Sequence, residues 1–337
     1  MKLTDIFNIL ISIIIVLYIS NKRYVTIKFS LYIILSTLLI DLLVSYTQFY
    51  NINAVKEFSF QDSNDLRGFY GNRNIAAFSI LSKLILLYIL GVFNKNKIFK
   101  IMLFIITILS SYLFYILSSR GVYVAITLIS GLIILSQLFS LIKYKTTKTI
   151  KISLPSAFIL LVIGSMTYFN LTSDISGIKV ERRVNSLVSQ SNQSVNERIR
   201  FWNQSIDYSL KRPLLGYGIG NWRIYSIEAD KKDMYSYVVP YFSHNDLLEI
   251  LVETGIFGFI SFVLFYFFIF KRNYQQLILW IKNQADYTPI FLMCFLIIYI
   301  LDSNINFPMD RPAQYISVFF YLAILELNNK VKDSEKK

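Results

Sequence analysis

The stretch that decides the fold reads Ser194-Val-Asn-Glu197-Arg198-Ile-Arg200-Phe-Trp202, turns at Pro213-Leu-Leu-Gly216-Tyr-Gly218-Ile-Gly220, and closes with His244-Asn245, nine residues, then Gly255-Ile-Phe-Gly258. It holds the only histidine of the 337-residue chain. On both sides of it the sequence turns apolar, in runs rather than in a 3.6 or 2.0 period. The polar loop therefore reads as the segment that the rest of the chain holds at a membrane surface.

Working outward, 55% of the chain is hydrophobic and the mean hydropathy is +0.50, too apolar for a soluble domain. Crossing a hydrocarbon core of about 30 Å takes roughly 20 apolar residues per helix. Nine such runs are present, near 3–20, 29–50, 75–93, 98–117, 122–142, 152–169, 247–270, 288–302 and 313–328. The expected fold is an all-α polytopic membrane protein with about nine transmembrane helices and a long extracytoplasmic loop bearing an amphipathic helix. Its organisation is 1–169 for the N-terminal helices, 170–246 for the loop, 247–328 for the C-terminal helices and 329–337 for a cytoplasmic tail.

The net charge of +13 follows topology rather than a nucleic-acid ligand. Half of the 34 basic residues fall on alternate links and the tail: Lys22, Arg23 and Lys28; Lys95, Lys97 and Lys100; Lys143, Lys145, Lys148 and Lys151; Lys271, Arg272 and Lys282; Lys330, Lys332, Lys336 and Lys337. That side is cytoplasmic by the positive-inside rule. Loops 51–74, 118–121, 170–246 and 303–312 are then external. Cys294 stands alone in an apolar run and there is one histidine, so neither an intrachain disulfide nor a histidine-rich zinc centre is expected. Met1 to Ser20 lacks a small-residue cleavage pattern and reads as a retained span.

Within the loop, Ser194-x-x-Glu197 has capping-box spacing, and Val195, Ile199, Trp202, Ile206 and Leu210 recur at helical steps up to Pro213. This predicts an amphipathic helix lying on the membrane, with Arg198 on the flank of Trp202 and Arg200 directed elsewhere. Gly216, Gly218 and Gly220 match no nucleotide fingerprint and suit a sharp turn where backbone and ligand approach closely. Ser243 and Asp246 are spaced as a second capping pair, which puts His244 at the mouth of a span. There a neutral imidazole can act as a base, although a cap-adjacent histidine is also an ordinary structural feature.

Glu249 and Glu253 sit in the same helix, where Glu253 calls for a partner such as arginine. The tight link Ser118-Ser119-Arg120-Gly121 would pin Arg120 at the outer face with the fork geometry for phosphate, or as a plain interfacial anchor. Arg311, in the last outer turn, reads more readily as an anchor than as a site residue. Asp41 and Lys83 are ionisable groups inside spans, either functional or structural, with Lys83 snorkelling or paired with Asp41.

The order of Gly68, Asn72 and Asn74, then Ser119-Arg120-Gly121, Arg198-x-x-x-Trp202, Pro213-x-x-Gly216-x-Gly218, His244-Asn245-x9-Gly255-x-x-Gly258 and Phe307-Pro308 resembles the bacterial O-antigen ligase and polymerase family. The sequence departs from the family pattern at Arg73, where proline is usual, and in having two spans ahead of Asn72. The resemblance implies a metal-independent membrane glycosyltransferase of the GT-C type, without cofactor, on the outer face of the bacterial inner membrane. It further implies an undecaprenyl-diphosphate-linked glycan as donor and a lipid A core or lipid-linked glycan as acceptor. By the same carry-over His244 deprotonates the acceptor hydroxyl and Arg120 and Arg198 hold the diphosphate. Trp202, Asn245, Glu253, Gly216, Gly218, Gly255 and Gly258 would support them.

Two other classes stand against this reading. A transporter or flippase of lipid-linked saccharides would need internal repeats and a charged midplane pathway, of which Asp41 and Lys83 are the only hint. A non-catalytic scaffold or receptor would not need Arg120, Arg198 and His244 to converge.

Overall fold

The computed structural model describes residues 25–94, 96–144, 153–173, 175, 193–231, 241–283 and 287–334. The expected first span, 3–20, lies outside them, as do several of the basic residues assigned to cytoplasmic links. Among the described residues there are helices and turns but no strand. The helices are α1 (Val25–Val55), α2 (Arg73–Phe93), α3 (Lys97–Leu117), α4 (Arg120–Tyr144), α5 (Leu154–Thr172), α6 (Gln193–Lys211), α7 (Trp222–Asp230), α8 (Asp246–Asn283), α9 (Thr288–Ile305) and α10 (Pro312–Ser334).

Six of these are long and apolar enough to cross a membrane: Tyr32–Val55 of α1, α3, Arg120–Ile142 of α4, α5, Asp246–Lys282 of α8, and α9. The chain is a polytopic helical membrane protein, with six such spans among the described residues. The expected span at 75–93 forms α2, and that at 313–328 forms α10, whose apolar part is the shorter stretch Ile316–Glu326.

The seventh expected span does not stop at residue 270. Lys271, Arg272 and Lys282 are helical residues of α8 and not a connecting link. The charges interrupt the apolar run without interrupting the backbone, because Leu277, Trp280 and Ile281 are still buried. Side-chain bonds hold this end: Asn273 Nδ2 donates to Tyr321 Oη at 2.8 Å and Ser140 Oγ to the Ile281 carbonyl at 2.7 Å.

Two compact units make up the described chain. Among the described residues, one takes in those of 25–175, 273–298 and 317–334, and the other those of 193–272 and 299–316. In the first, a membrane bundle, α2 is the central helix and Ile75 to Ile89 are almost wholly enclosed. Tyr88 packs edge-on against Phe158 at 4.8 Å and meets the Thr107 hydroxyl at 2.9 Å.

Local chemistry sets the helix ends. Asn96 accepts the Ile98 N–H at the start of α3, and Ser118 ends it in the left-handed conformation with its N–H on the Phe114 carbonyl. Ser153 caps α5, with proline in the first turn. Asp41 and Lys83 pair at 2.5 Å inside this bundle, and Tyr70 Oη donates to both carboxylate oxygens. A carboxylate and an ammonium 4–5% exposed are thus satisfied by each other and by a loop tyrosine.

Candidate active site

The second unit carries the candidate chemistry, and its frame is a lock between two glycine motifs. After α6 ends, the Pro213-Leu-Leu-Gly216-Tyr-Gly218 turn lies along the first part of α8. Tyr217 and Gly218 N–H donate to the Val252 and Glu253 carbonyls at 2.9 and 2.8 Å, and Ile256 N–H donates to the Pro213 carbonyl at 2.8 Å. For those carbonyls to face outward, α8 must break, and it does so at Gly255, with φ 66° and ψ −168°. Only glycine adopts that region readily.

The two backbones touch. A Cβ on Gly216 would lie 2.5 Å from the Val252 carbonyl oxygen, and one on Gly255 would fall on the Leu214 carbonyl. The close approach expected at these glycines is therefore made to the protein's own backbone. Glu253 completes the lock by accepting the Trp222 N–H at 3.2 Å, at the positive end of α7.

This lock leads up to the mouth of α8. Asn245 is the cap, since its side chain accepts the Leu248 N–H at 3.2 Å and its carbonyl the Glu249 N–H at 3.0 Å. Ser243 pairs with Glu249 rather than with Asp246, giving its N–H and hydroxyl to Glu249 Oε2 at 3.0 and 3.1 Å. Asp246 instead accepts from Ser303 Oγ at 2.9 Å, and Asn245 Nδ2 reaches Asn304 Oδ1 at 3.4 Å. Both bonds fasten the last outer turn to this mouth.

His244 sits just outside the cap with φ 55°, a strained value for a residue with a side chain. Its ring is packed between two others: Phe201 of α6 lies nearly parallel at 6.2 Å and Phe307 edge-on at 5.0 Å. Burial pushes the imidazole down to about pKa 4, assisted by the nearby positive charges of Arg198 and Arg311. The ring is neutral at ordinary pH, and among the described residues its Nδ1 has no hydrogen-bond partner.

Arg198 lies one turn before Phe201 on the same face of α6, which brings its charge to the imidazole. Arg200 pairs with the buried Asp230 at 3.0 Å, a carboxylate that also takes Gln204 at 2.8 Å, and its guanidinium lies 5.1 Å from the centre of the Phe201 ring. Phe201 is the α6 ring that meets the imidazole, while Trp202 is half-buried beside it.

The periodic stripe Val195, Ile199, Ile206 and Leu210 is exposed, and the buried face of α6 is Phe201, Ser205 and Ser209. The helix opens at Gln193, one residue ahead of the expected cap Ser194. Arg120 belongs to the bundle unit, where it is half-buried as the first residue of α4 after the buried pair Ser118 and Ser119.

Several contributors were not singled out from sequence. Phe201 and the fully buried Trp222 look like any core aromatic in a chain with 28 phenylalanines, and only their contacts distinguish them, while Phe307 stands out in the sequence only as half of the late Phe-Pro pair. Arg311 was visible but ranked as an anchor. Its guanidinium lies 4.0 Å above the Phe307 ring, one ring away from His244.

Membrane-length helices and a polar insert that sets a depressed-pKa histidine near two arginines define a polytopic membrane protein with a candidate acid–base site. Residues 105–263 match the model of the O-antigen ligase family, and the resemblance read from the motifs is borne out over that segment. The match takes in Arg120, Arg198, both glycine motifs and His244, and ends before Phe307 and Arg311. A search of curated proteins returns no match to the chain.

Proposed function

We propose that the protein is a membrane glycosyltransferase that moves a glycan from an undecaprenyl-diphosphate carrier to a sugar hydroxyl, as an O-antigen ligase or surface-polysaccharide polymerase. The observation that carries this reading is the neutral, half-buried His244 ring with Arg198 beside it at the mouth of a span. The acceptor oxygen attacks the anomeric carbon while His244 takes its proton. The bond from that carbon to the diphosphate oxygen breaks, and the leaving group departs with the electron pair. Direct displacement inverts the anomeric centre.

The negative charge that develops on the diphosphate is what a fixed guanidinium stabilises. Arg198 takes this role, and Arg120 is assigned it from the resemblance. The loop faces the outside of the bacterial inner membrane. The exposed stripe of α6, with Leu214, Leu215 and Ile219 after it, suits the outer-leaflet interface where a carrier lipid presents its headgroup. The transport alternative loses its hint, since Asp41 and Lys83 neutralise each other and bond to Tyr70.

The test is transfer in membranes reconstituted with a lipid-linked oligosaccharide, comparing His244→Ala with Arg200→Gln. Loss of a positioned base costs about 10²–10⁴-fold in rate. Arg200, tied to Asp230, contributes little, so its variant retains near-normal transfer. Undiminished product from His244→Ala would remove the base and the mechanism with it.

A further inference from the structure

We propose that Arg311 is a further guanidinium for the donor diphosphate, set beside His244 by the last outer turn and acting together with Arg198. The inference rests on the transferase reading above and adds to it a binding residue outside the matched O-antigen ligase segment.

Placement is the first argument. Arg311 precedes Pro312, which disfavours helical backbone for it, and the residue is extended at φ −123° and ψ 116°. Its N–H bonds back to the Pro308 carbonyl at 3.2 Å and its carbonyl takes the Gln314 N–H at 3.1 Å. With the backbone set this way, the guanidinium carbon lies over the Phe307 ring, 4.0 Å from its centre. Phe307 is itself held, stacked on Phe242 at 3.9 Å and edge-on to His244 at 5.0 Å. The turn cannot drift from the imidazole, because Ser303 and Asn304 are bonded to Asp246 and Asn245 at the same mouth.

The second argument is electrostatic. Arg198 reaches His244 from α6, and Arg311 reaches it from a turn more than a hundred residues later in the chain. Two cations around one aromatic-walled imidazole repel each other and disfavour the imidazolium, and a bound anion relieves both. A diphosphate carries two phosphoryl groups, each able to take one planar guanidinium fork.

The acids facing this end have other engagements: Glu249 takes Ser243, Asp246 takes Ser303, and the buried Asp302 takes Asn306 Nδ2 at 2.6 Å. Asp302 also feels the Arg311 charge, which makes neutralisation of that buried acid the competing role for Arg311.

The experiment uses the full chain in lipid nanodiscs and farnesyl diphosphate as the binding probe, with two-substrate kinetics alongside. Arg311→Gln and Arg198→Gln are each expected to weaken binding tenfold or more and to raise KM for the donor, with Arg311→Lys intermediate. The acceptor KM stays put. The double variant Asp302→Asn/Arg311→Gln does not recover binding.

If Arg311→Gln binds the probe as the wild type does while Arg198→Gln does not, the Arg311 assignment is overturned. A rise confined to the acceptor KM, or recovery in the double variant, overturns it equally. If neither arginine variant weakens binding, the transferase reading of this site falls, and the Arg311 assignment with it.

Discussion

Replacing Gly255 by alanine tests the lock on which the position of His244 depends. At φ 66° and ψ −168° a side chain costs about 1–3 kcal/mol in backbone strain alone. The new Cβ would also collide with the Leu214 carbonyl. The backbone has to move away, and the bonds of Tyr217, Gly218 and Ile256 to Val252, Glu253 and Pro213 are then at risk, each worth about 0.5–1.5 kcal/mol net.

The total is on the order of 3–7 kcal/mol against the kinked state. The escape route is a straight α8, because alanine is the best helix former. The variant is therefore expected to stay inserted and folded in the bundle while the Pro213–Gly218 turn comes off α8.

Hydrogen exchange reads this directly. Amides of Tyr217, Gly218 and Ile256 lose protection in Gly255→Ala, and transfer falls with them. Gly131→Ala and Gly164→Ala are the controls: a Cβ at either meets nothing within 4 Å, and each lies inside a helix, so stability is unchanged or raised by up to about 1 kcal/mol. A Gly255→Ala protein with full protection at those three amides and normal product would refute the reasoning.

Two further predictions concern charge. Since His244 is held down to about 4, it is neutral above that value; transfer rate should be level from about pH 8 to 6 and decline only as pH drops through about 4. The same depression adds stability that is complete above the unfolded value near 6.5 and is lost as pH falls through about 4; a rate profile with its acid limb centred near 6.5 would contradict the packed ring. Lys83→Met leaves Asp41 as a lone buried carboxylate and should cost about 3–5 kcal/mol in thermal unfolding of the detergent-solubilised protein, with Asp41→Asn/Lys83→Met regaining most of it. Equal melting of the single variant and the wild type would show the pair to be dispensable.

What could be read from sequence followed the strength of each physical signal. Long apolar runs have one economical solution in a bilayer, so the helical polytopic class was legible, as was the Asp41–Lys83 pairing, for which each charge had few other partners at that depth. The period of Val195, Ile199, Ile206 and Leu210 located α6 but not what its apolar stripe faces. The stripe is exposed, and a second face with small serines and Phe201 packs inward. The end of α8 was misplaced because Lys271 and Arg272 mimic a loop in a hydropathy trace, whereas backbone hydrogen bonds continue under any solvated side chain.

The harder residues belong to pair relations that no local pattern encodes. Gly216 and Gly255 are both necessary because each leaves room for the other's neighbours, some forty positions away in the chain. Glu253 serves this contact through the Trp222 N–H, and Glu249 performs a similar service for Ser243. The order of motifs was informative for the same reason. The glycine turn, the broken helix and the capped mouth are parts of one backbone contact, and a change in the spacing of either motif would shift the Asn245 cap relative to α6. Phe201 and Arg198 would then face a different residue. The height of one imidazole is thus set by glycines and carbonyls that need not touch a substrate, which is why their spacing carries functional information.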